Sequence, residues 1–409
     1  PPWWRRPRKL RRQLALTLVL VAFVSVTTVG VINFYAASRL LDDGTEESLV
    51  GIGESRARRI EDGGARVVGQ VGAVAADLGV VRALNDLADG FDSLADDELT
   101  ASQEAELDDF YRTNLVEPIE SAGLGPLTVA DVSPGSSEGR WLQYHWTVAL
   151  ADDPEARAEV DDVGDGTTYS AAHATHHDFL SNLGASLRAS DLLLVTADGD
   201  VVYTANKSVD LGSDLADGPL NDTELATTVL EDLTRVRIGE GVIADFEIYI
   251  PAGARPTMFV AAAVRDDTEI IGALVLQVPV EALNAITAAD GTWDEVGLRG
   301  GESYVVGGDG LLRSESRPWL EDPDGYLGKV DDELAGLIEL FGSPVGLQPV
   351  DTEPVTEALD GRVFEGNARN YLGQRTFSHA TPIDVSGVEW VVVTDVPSNE
   401  AREPLVDFA

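Results

Sequence analysis

Four of the five histidines in this sequence fall at His145, His173, His176 and His177, in a chain without cysteine. On a helix His173 and His177 are four residues apart and share a face, so two imidazoles there, with His145 as a third ligand, form one candidate metal set. HATHH lacks the glutamate of H-E-x-x-H, which excludes a zincin on pattern. A second reading is that the histidines, with Tyr144, Trp146 and Tyr169, line or brace a pocket and hydrogen-bond a polar ligand. In a third, they pack helices onto a sheet and satisfy one another's polar atoms. All three stay open at this level. Further along, Tyr203, Lys207 and Asp210 follow a turn, and Asp245, Tyr249 and Phe259 come from later strands that can converge on the same cavity. The candidate ligand set is therefore Tyr144, His145, Trp146, Tyr169, His173, His177, Tyr203, Lys207, Asp245 and Tyr249. Tyr304, Arg313 and Arg317 hold the corresponding places later in the chain. No Gly-rich phosphate loop, G-x-S-x-G elbow or Ser/His/Asp arrangement stands out. Neither an enzyme activity nor a cofactor is expected of this chain.

The bulk properties narrow the setting. A net charge of −42 repels polyanions, and nucleic-acid binding needs clustered Lys and Arg. The positive charge is concentrated instead at Arg5, Arg6, Arg8, Lys9, Arg11 and Arg12, just before 22 uncharged residues from Leu14 to Tyr35. As a helix that stretch measures about 33 Å, enough for a hydrocarbon core of about 30 Å. It is too long for the apolar region of a signal peptide, and YAASR is a poor cleavage site. The expectation is a transmembrane helix over 14–35, a cytoplasmic basic tail at 1–13 and, by the positive-inside rule, an extracytoplasmic location for 36–409. With Pro1 at the start and Met258 the only methionine, the sequence reads as a piece of a longer protein.

Beyond the apolar stretch, Val67, Val71, Val74, Leu78, Val81, Leu84, Leu87, Phe91 and Leu94 recur in steps of three and four, which predicts one helical stripe. The Gly63-Gly64 pair marks a place for a kink or break. Further helices are expected over 101–121 and from about Ser170 to Leu187, with a loop at 132–139. From Asp191 the pattern changes to short β-rich runs. LLLVTADGDVVYTA and SYVVGGDGLLRSE both read as strand, DG turn, strand. A second pair, FVAAAVRDDTEIIGALVLQVP at 259–279 and FSHATPIDVSGVEWVVVTDVP at 377–397, aligns without a gap at an offset of 118, while the first hairpins are offset by 111. Phe259 then falls on Phe377, Asp266 on Asp384 and Pro279 on Pro397. Two tandem α+β modules follow, each an antiparallel sheet with helices on one face and a pocket on the other.

A transmembrane helix, a long helical stalk and two tandem PAS-like modules with the DG hairpin resemble the double Cache (PDC-like) sensor regions of bacterial receptors. The most specific pieces are WLQYHW at 141–146, YSAAHATHHDFL at 169–180, the run from Asp191 to Pro219 and GTWDEVGLRGGESYVVGGDGLLRSESR at 291–317. The resemblance implies a stalk and sensor-packing helices at 36–190, a membrane-distal Cache module at 191–286, a membrane-proximal one at 291–398, and at 399–409 the start of a helix toward a second span. It implies extracytoplasmic sensing of a small polar solute and contact with the lipid bilayer through 14–35. It also implies a parallel homodimer and a helix displacement passed to a cytoplasmic output domain. Such regions precede class III adenylate or guanylate cyclases, chemotaxis receptors and histidine kinases, and the Ala/Asp/Val-rich composition favours a cyclase. The amino-acid-binding pattern of these domains, with its Arg-x-Trp-Tyr cluster, has no counterpart in 198–250, where Trp is absent. The alternative from another class is an anchored metal-binding protein or metalloenzyme using His145, His173 and His177.

Overall fold

The computed structural model describes residues 8–121, 126–150, 153–288, 293 and 300–400. Residues 1–7, most of the 291–299 motif and 401–409 lie outside them. Helix α1 (Arg8–Ala75) runs without interruption for 68 residues, roughly 100 Å at 1.5 Å per residue. Among the described residues no single helix is long and apolar enough to cross a membrane. The described apolar stretch is Thr17–Val29, with Leu18, Val21, Phe23 and Val26 exposed. The ends of the expected 14–35 span lie outside the described side chains.

The break expected at Gly63-Gly64 is not there. A Cβ on Gly64 would sit 2.3 Å from Val385 Cγ1, so this glycine lets α1 approach a sheet closely. The stripe expected to be one helix over 67–94 is instead cut at Asp77, whose carboxylate accepts the Gly79 N–H at 2.6 Å and caps α2 (Leu78–Asp92). That local partner opens a new helix start, and the two axes differ by 66°. Next comes α3 (Ala101–Tyr111), started by a Thr100/Gln103 capping box, and then α4 (Glu117–Ser121), α5 (Ser137–Leu142), α6 (Pro154–Ala158) and α7 (Thr168–Ser186). Single π-helical turns occupy 112–116 and 143–148.

The first sheet is built from β1 (Asp191–Thr196), β2 (Val201–Thr204), β3 (Gly241–Tyr249), β4 (Arg255–Asp266) and β5 (Glu269–Pro279), with α8 (Glu224–Leu230) between β2 and β3. After α9 (Glu281–Thr287) the second sheet uses β6 (Glu302–Gly307), β7 (Phe364–Arg369), β8 (Arg375–Val385) and β9 (Val388–Pro397). Between β6 and β7 lie α10 (Arg317–Glu321), α11 (Pro323–Leu327), α12 (Asp332–Phe341) and α13 (Glu353–Leu359). The strand orders are β2-β1-β5-β4-β3 and β6-β9-β8-β7, all antiparallel. With β6 matched to β1 and β9 to β5, the two orders coincide except at β2. There the second sheet has only isolated bridges, because Leu312 pairs with Val306 while Leu311 turns to Pro349.

Helices cover both faces of each sheet, not one. Leu192 and Leu194 of β1 join α1, α2 and α7 in one core, while Leu193 and Val195 join α8 in another. Both faces of the central strands are apolar, so both need cover. In the second sheet α1 covers one face and α13 the other, over Tyr304, Val306, Val391 and Val393.

The gapless offset of 118 holds for β5 and β9 but slips on the preceding strands. Phe259 packs on the α8 side, whereas Phe377 meets Leu49 of α1 on the opposite side. The register shift between Val264 and Arg265 puts an extra residue, Ile271, into the first hairpin, and β8–β9 has none. One added residue flips every side chain on that strand.

The modules meet at Asp245. Its carboxylate takes the Arg313 Nε at 3.0 Å, the Arg313 Nη2 at 3.0 Å and the Trp390 Nε1 at 3.0 Å. Arg313 also reaches Asp309 at 2.8 Å, and a Cβ on Gly307 would strike the guanidinium at 2.4 Å. Phe246 stacks on Trp390 at 6.1 Å beside this contact.

Candidate functional site

The histidines gather in two places. His145 stacks on Trp141 at 4.2 Å, and Tyr144 donates to Glu106 at 2.9 Å near the surface. His173 and His177, one turn apart on α7, stack on each other at 4.6 Å, and the His173 ring lies 4.2 Å from Trp146. His145 does not join them, and among the described residues no three His, Cys, Asp or Glu side chains converge to hold a metal. The expected metal set is not assembled, because a π-helical turn carries His145 to the Trp141 side while Trp146 turns inward.

The inner histidines hold a loop. His173 Nδ1 donates to the Asp161 carbonyl at 2.8 Å, and His177 Nε2 to the Ala158 carbonyl at 2.7 Å. The Tyr203 hydroxyl donates to His177 Nδ1 at 2.9 Å, and Lys207 Nζ also reaches the Ala158 carbonyl, at 2.8 Å. Donor and acceptor roles here are assigned from the partners. Burial, with the neighbouring Lys207 second, pushes both imidazoles below their usual value, and burial pulls Lys207 down to about 8. These rings are neutral at pH 7. Tyr169, fully buried, donates to the Val202 carbonyl at 2.9 Å and packs edge-on against Trp146. The side chains of Trp146, Tyr169, His173, His177, Tyr203 and Lys207 are thus brought together as one buried group against β2.

What this group braces is the wall of a cleft. The segment 154–159, anchored through its Ala158 carbonyl, borders a cavity of about 1120 Å³ at the end of the first sheet. Its floor includes Ser190, Asn206, Ser208, Thr257 and Gln277, and its far wall is Glu315 with 339–343 from the second module. Asp191 lies beneath the floor and accepts the N–H groups of Leu192 and Asn206, at 2.8 and 3.2 Å. Asp210 accepts the Tyr249 hydroxyl at 3.0 Å. Burial raises the pKa of both carboxyls, and Asp210 adds to the rise at Asp191. They fix the 204–213 loop, while the Lys207 carbonyl takes the Thr147 hydroxyl at 3.0 Å and Lys207 itself sits at φ +53°. Glu315 gives one oxygen to Ser343 at 2.7 Å and leaves the other, Oε2, buried without a partner. Burial pushes its pKa up to about 7.

Of the sequence candidates, Tyr249 lies under the cleft floor and the His173/His177/Tyr203/Lys207 group behind its wall. Tyr144 and His145 are elsewhere, and Asp245 is at the seam between modules with Arg313, not beside Tyr203. Sequence reasoning missed Gln277, Thr257, Ser208, Arg255 and Glu315. The amide of Gln277 inside the apolar run ALVLQVP was a usable signal; Glu315 was not, since its position depends on how the modules meet.

No family model matches the chain, and no curated protein matches it. Solved structures do. The sensor domain of the Vibrio cholerae histidine kinase DctB is 11% identical over 56% of this chain and 80% of that one, with a TM-score of 0.36. The ligand-binding domain of the Pseudomonas aeruginosa amino acid chemoreceptor PctB, in complex with L-glutamine, is 15% identical over 76% of this chain and 97% of that one, at 0.36. That of the Pseudomonas fluorescens chemoreceptor CtaA with L-alanine is 16% identical over 56% and 81%, at 0.35. At such values the likeness is a loose one of architecture, and the chemistry has to come from this chain's own residues.

Proposed function

We propose that the chain is the ligand-sensing part of a bacterial membrane receptor, with 36–409 outside the cell and the span at 14–35. A small polar solute enters the cleft at the end of the first sheet, in the membrane-distal module at 191–286. The module at 291–398 is the proximal one. The observation that carries this reading is the cleft itself: its floor comes from one module and its far wall, with the unpartnered Glu315 oxygen, from the other. A solute bridging the two has different affinities for closer and wider settings of the modules, which is the only way binding can shift such an equilibrium. Helix α1 touches both sheets and carries the change toward the bilayer as a displacement of about 1–2 Å, within a parallel dimer. The output partner we favour is a chemotaxis or histidine-kinase signalling domain; the cyclase implied by the sequence resemblance has no support in the similar structures named above.

The cleft's polar floor can hydrogen-bond a solute, while His173 and His177 act as positioning residues for its 154–159 wall. The test is a thermal-shift screen of the purified chain against amines, amino acids and small carboxylates. A compound that raises the melting temperature is expected to lose its effect in Gln277→Leu and to weaken in His173→Ala. A shift that survives Gln277→Leu intact, or a panel without any shift, refutes the cleft as the sensing site.

A further inference from the structure

We infer that the second module carries a ligand site of its own, which takes a small organic cation through a primary ammonium head. Glu302 and Asp395 face each other in register across β6 and β9, and both are buried. Glu302 is occupied: it accepts the Tyr371 hydroxyl at 3.1 Å and the Arg317 backbone N–H at 3.1 Å. Asp395 is only half occupied. Its Oδ2 accepts the Tyr304 hydroxyl at 3.0 Å, while Oδ1, equally buried, has no partner. Ser378, opposite Asp395 in register, shares a hydrogen bond of 2.8 Å with the Thr376 hydroxyl and, with Tyr304, partly offsets the rise that burial gives the Asp395 carboxyl, but makes no well-formed bond to Oδ1.

Both carboxyls line a hollow of about 260 Å³. A buried acceptor without a well-formed hydrogen bond is costly, and the hollow that Asp395 lines gives a donor access to it. The charges around it choose the donor's sign. Glu321, Asp322 and Glu400 add to the carboxyl pair, against Arg317 and Lys329. Arg317 is committed, with Nε on Glu321 at 2.8 Å, Nη1 on the Gly301 carbonyl at 2.9 Å and its guanidinium 5.1 Å from the Trp293 ring. A metal ion is a poor fit, since among the described residues no three acidic or imidazole side chains meet. An ammonium is a good one, because it donates three hydrogen bonds, and those to carboxylates are the stronger, charge-assisted kind. Burial raises Glu302 to about 8 and Asp395 to about 6, so the empty pair retains a proton near neutral pH that an ammonium can replace.

Titration calorimetry on the purified full chain tests this with ethanolamine as the probe, and with acetate and calcium as comparison solutes. Ethanolamine is expected to bind one per chain, and Asp395→Asn to weaken it by about tenfold or more. Glu302→Gln is expected to weaken it likewise, and serves if Asp395→Asn does not fold. Gln277→Leu, in the first module's cleft, is expected to leave it unchanged, so this site and the sensing cleft stand or fall separately. Absence of ethanolamine binding, equal binding by both acid variants, or tighter binding of acetate or calcium overturns the inference.

Discussion

The two sheets share a strand order but differ in what lies at the same corner. In the first, Asp191 pairs in register with Gln277, and the corner opens into a wide cleft shared with the neighbouring module. In the second, the equivalent pair is Glu302 with Asp395, closed over by Tyr304 and Tyr371 around a small hollow. An amide facing an acid leaves one ionisable group and a hydrogen-bonding floor, whereas two acids face each other as like charges and need a proton or a cation between them. The scaffold is common to both sheets, and the difference between an amide at Gln277 and an acid at Asp395 separates the electrostatics of the two corners.

The sharpest way to break this pairing of modules is Arg313→Ala. It leaves the Asp245 carboxylate buried at the seam with only the Trp390 indole and a backbone N–H, and removing one partner of a buried pair costs about 3 kcal/mol. Calorimetry is expected to show the melting temperature falling and one transition separating into two. A smaller effect sharpens the contrast between the corners. Glu302 has a folded pKa of about 8 against an ordinary 4.5, so the folded chain holds a proton that the unfolded chain gives up. Its stabilising contribution is complete below the ordinary value and is lost as pH rises to about 8. Glu302→Gln is expected to remove on the order of 2 kcal/mol of the stability decline between about pH 5 and pH 8, read from denaturation curves at the two pH values. The smallest effect is at the glycine pair. Nothing lies within 4 Å of a Cβ on Gly63, so Gly63→Ala is expected to stabilise by about 0.5–1 kcal/mol. Gly64→Ala is expected to destabilise, and equal responses of the two melting temperatures would refute the close approach of α1 to Val385.

Much of the fold could be read in the residues because it rests on local patterns. The helical stretch at 101–121, the α7 helix, the DG turn between β1 and β2 and the recurrence of a strand pattern were visible from spacing alone. The failures were of two physical kinds. Asp77 and Ile271 each act through a single residue, by capping a new helix or flipping a strand, and hydrophobic periodicity averages over such events. Asp245, Glu315 and Arg313 take their environments from the partner module, and nothing in their own neighbourhoods announces it. The histidines fell between these cases: their clustering was plain, but only the carbonyls of Ala158 and Asp161 show what they hold.

Gly53, Gly64 and Gly72 give α1 its tight fit, with a Cβ on each falling 2.4 Å from His379, 2.3 Å from Val385 and 2.1 Å from the Gly239 carbonyl. These three notches spread over about 28 Å of axis, and a step of one residue in either direction would bring Ile52 or Glu54 to the first notch and Val71 or Ala73 to the last. Spinning by a full residue step is therefore sterically locked out, while a short glide along the axis keeps each notch near its tooth. A rod cut this way is free to move lengthwise but not to swivel.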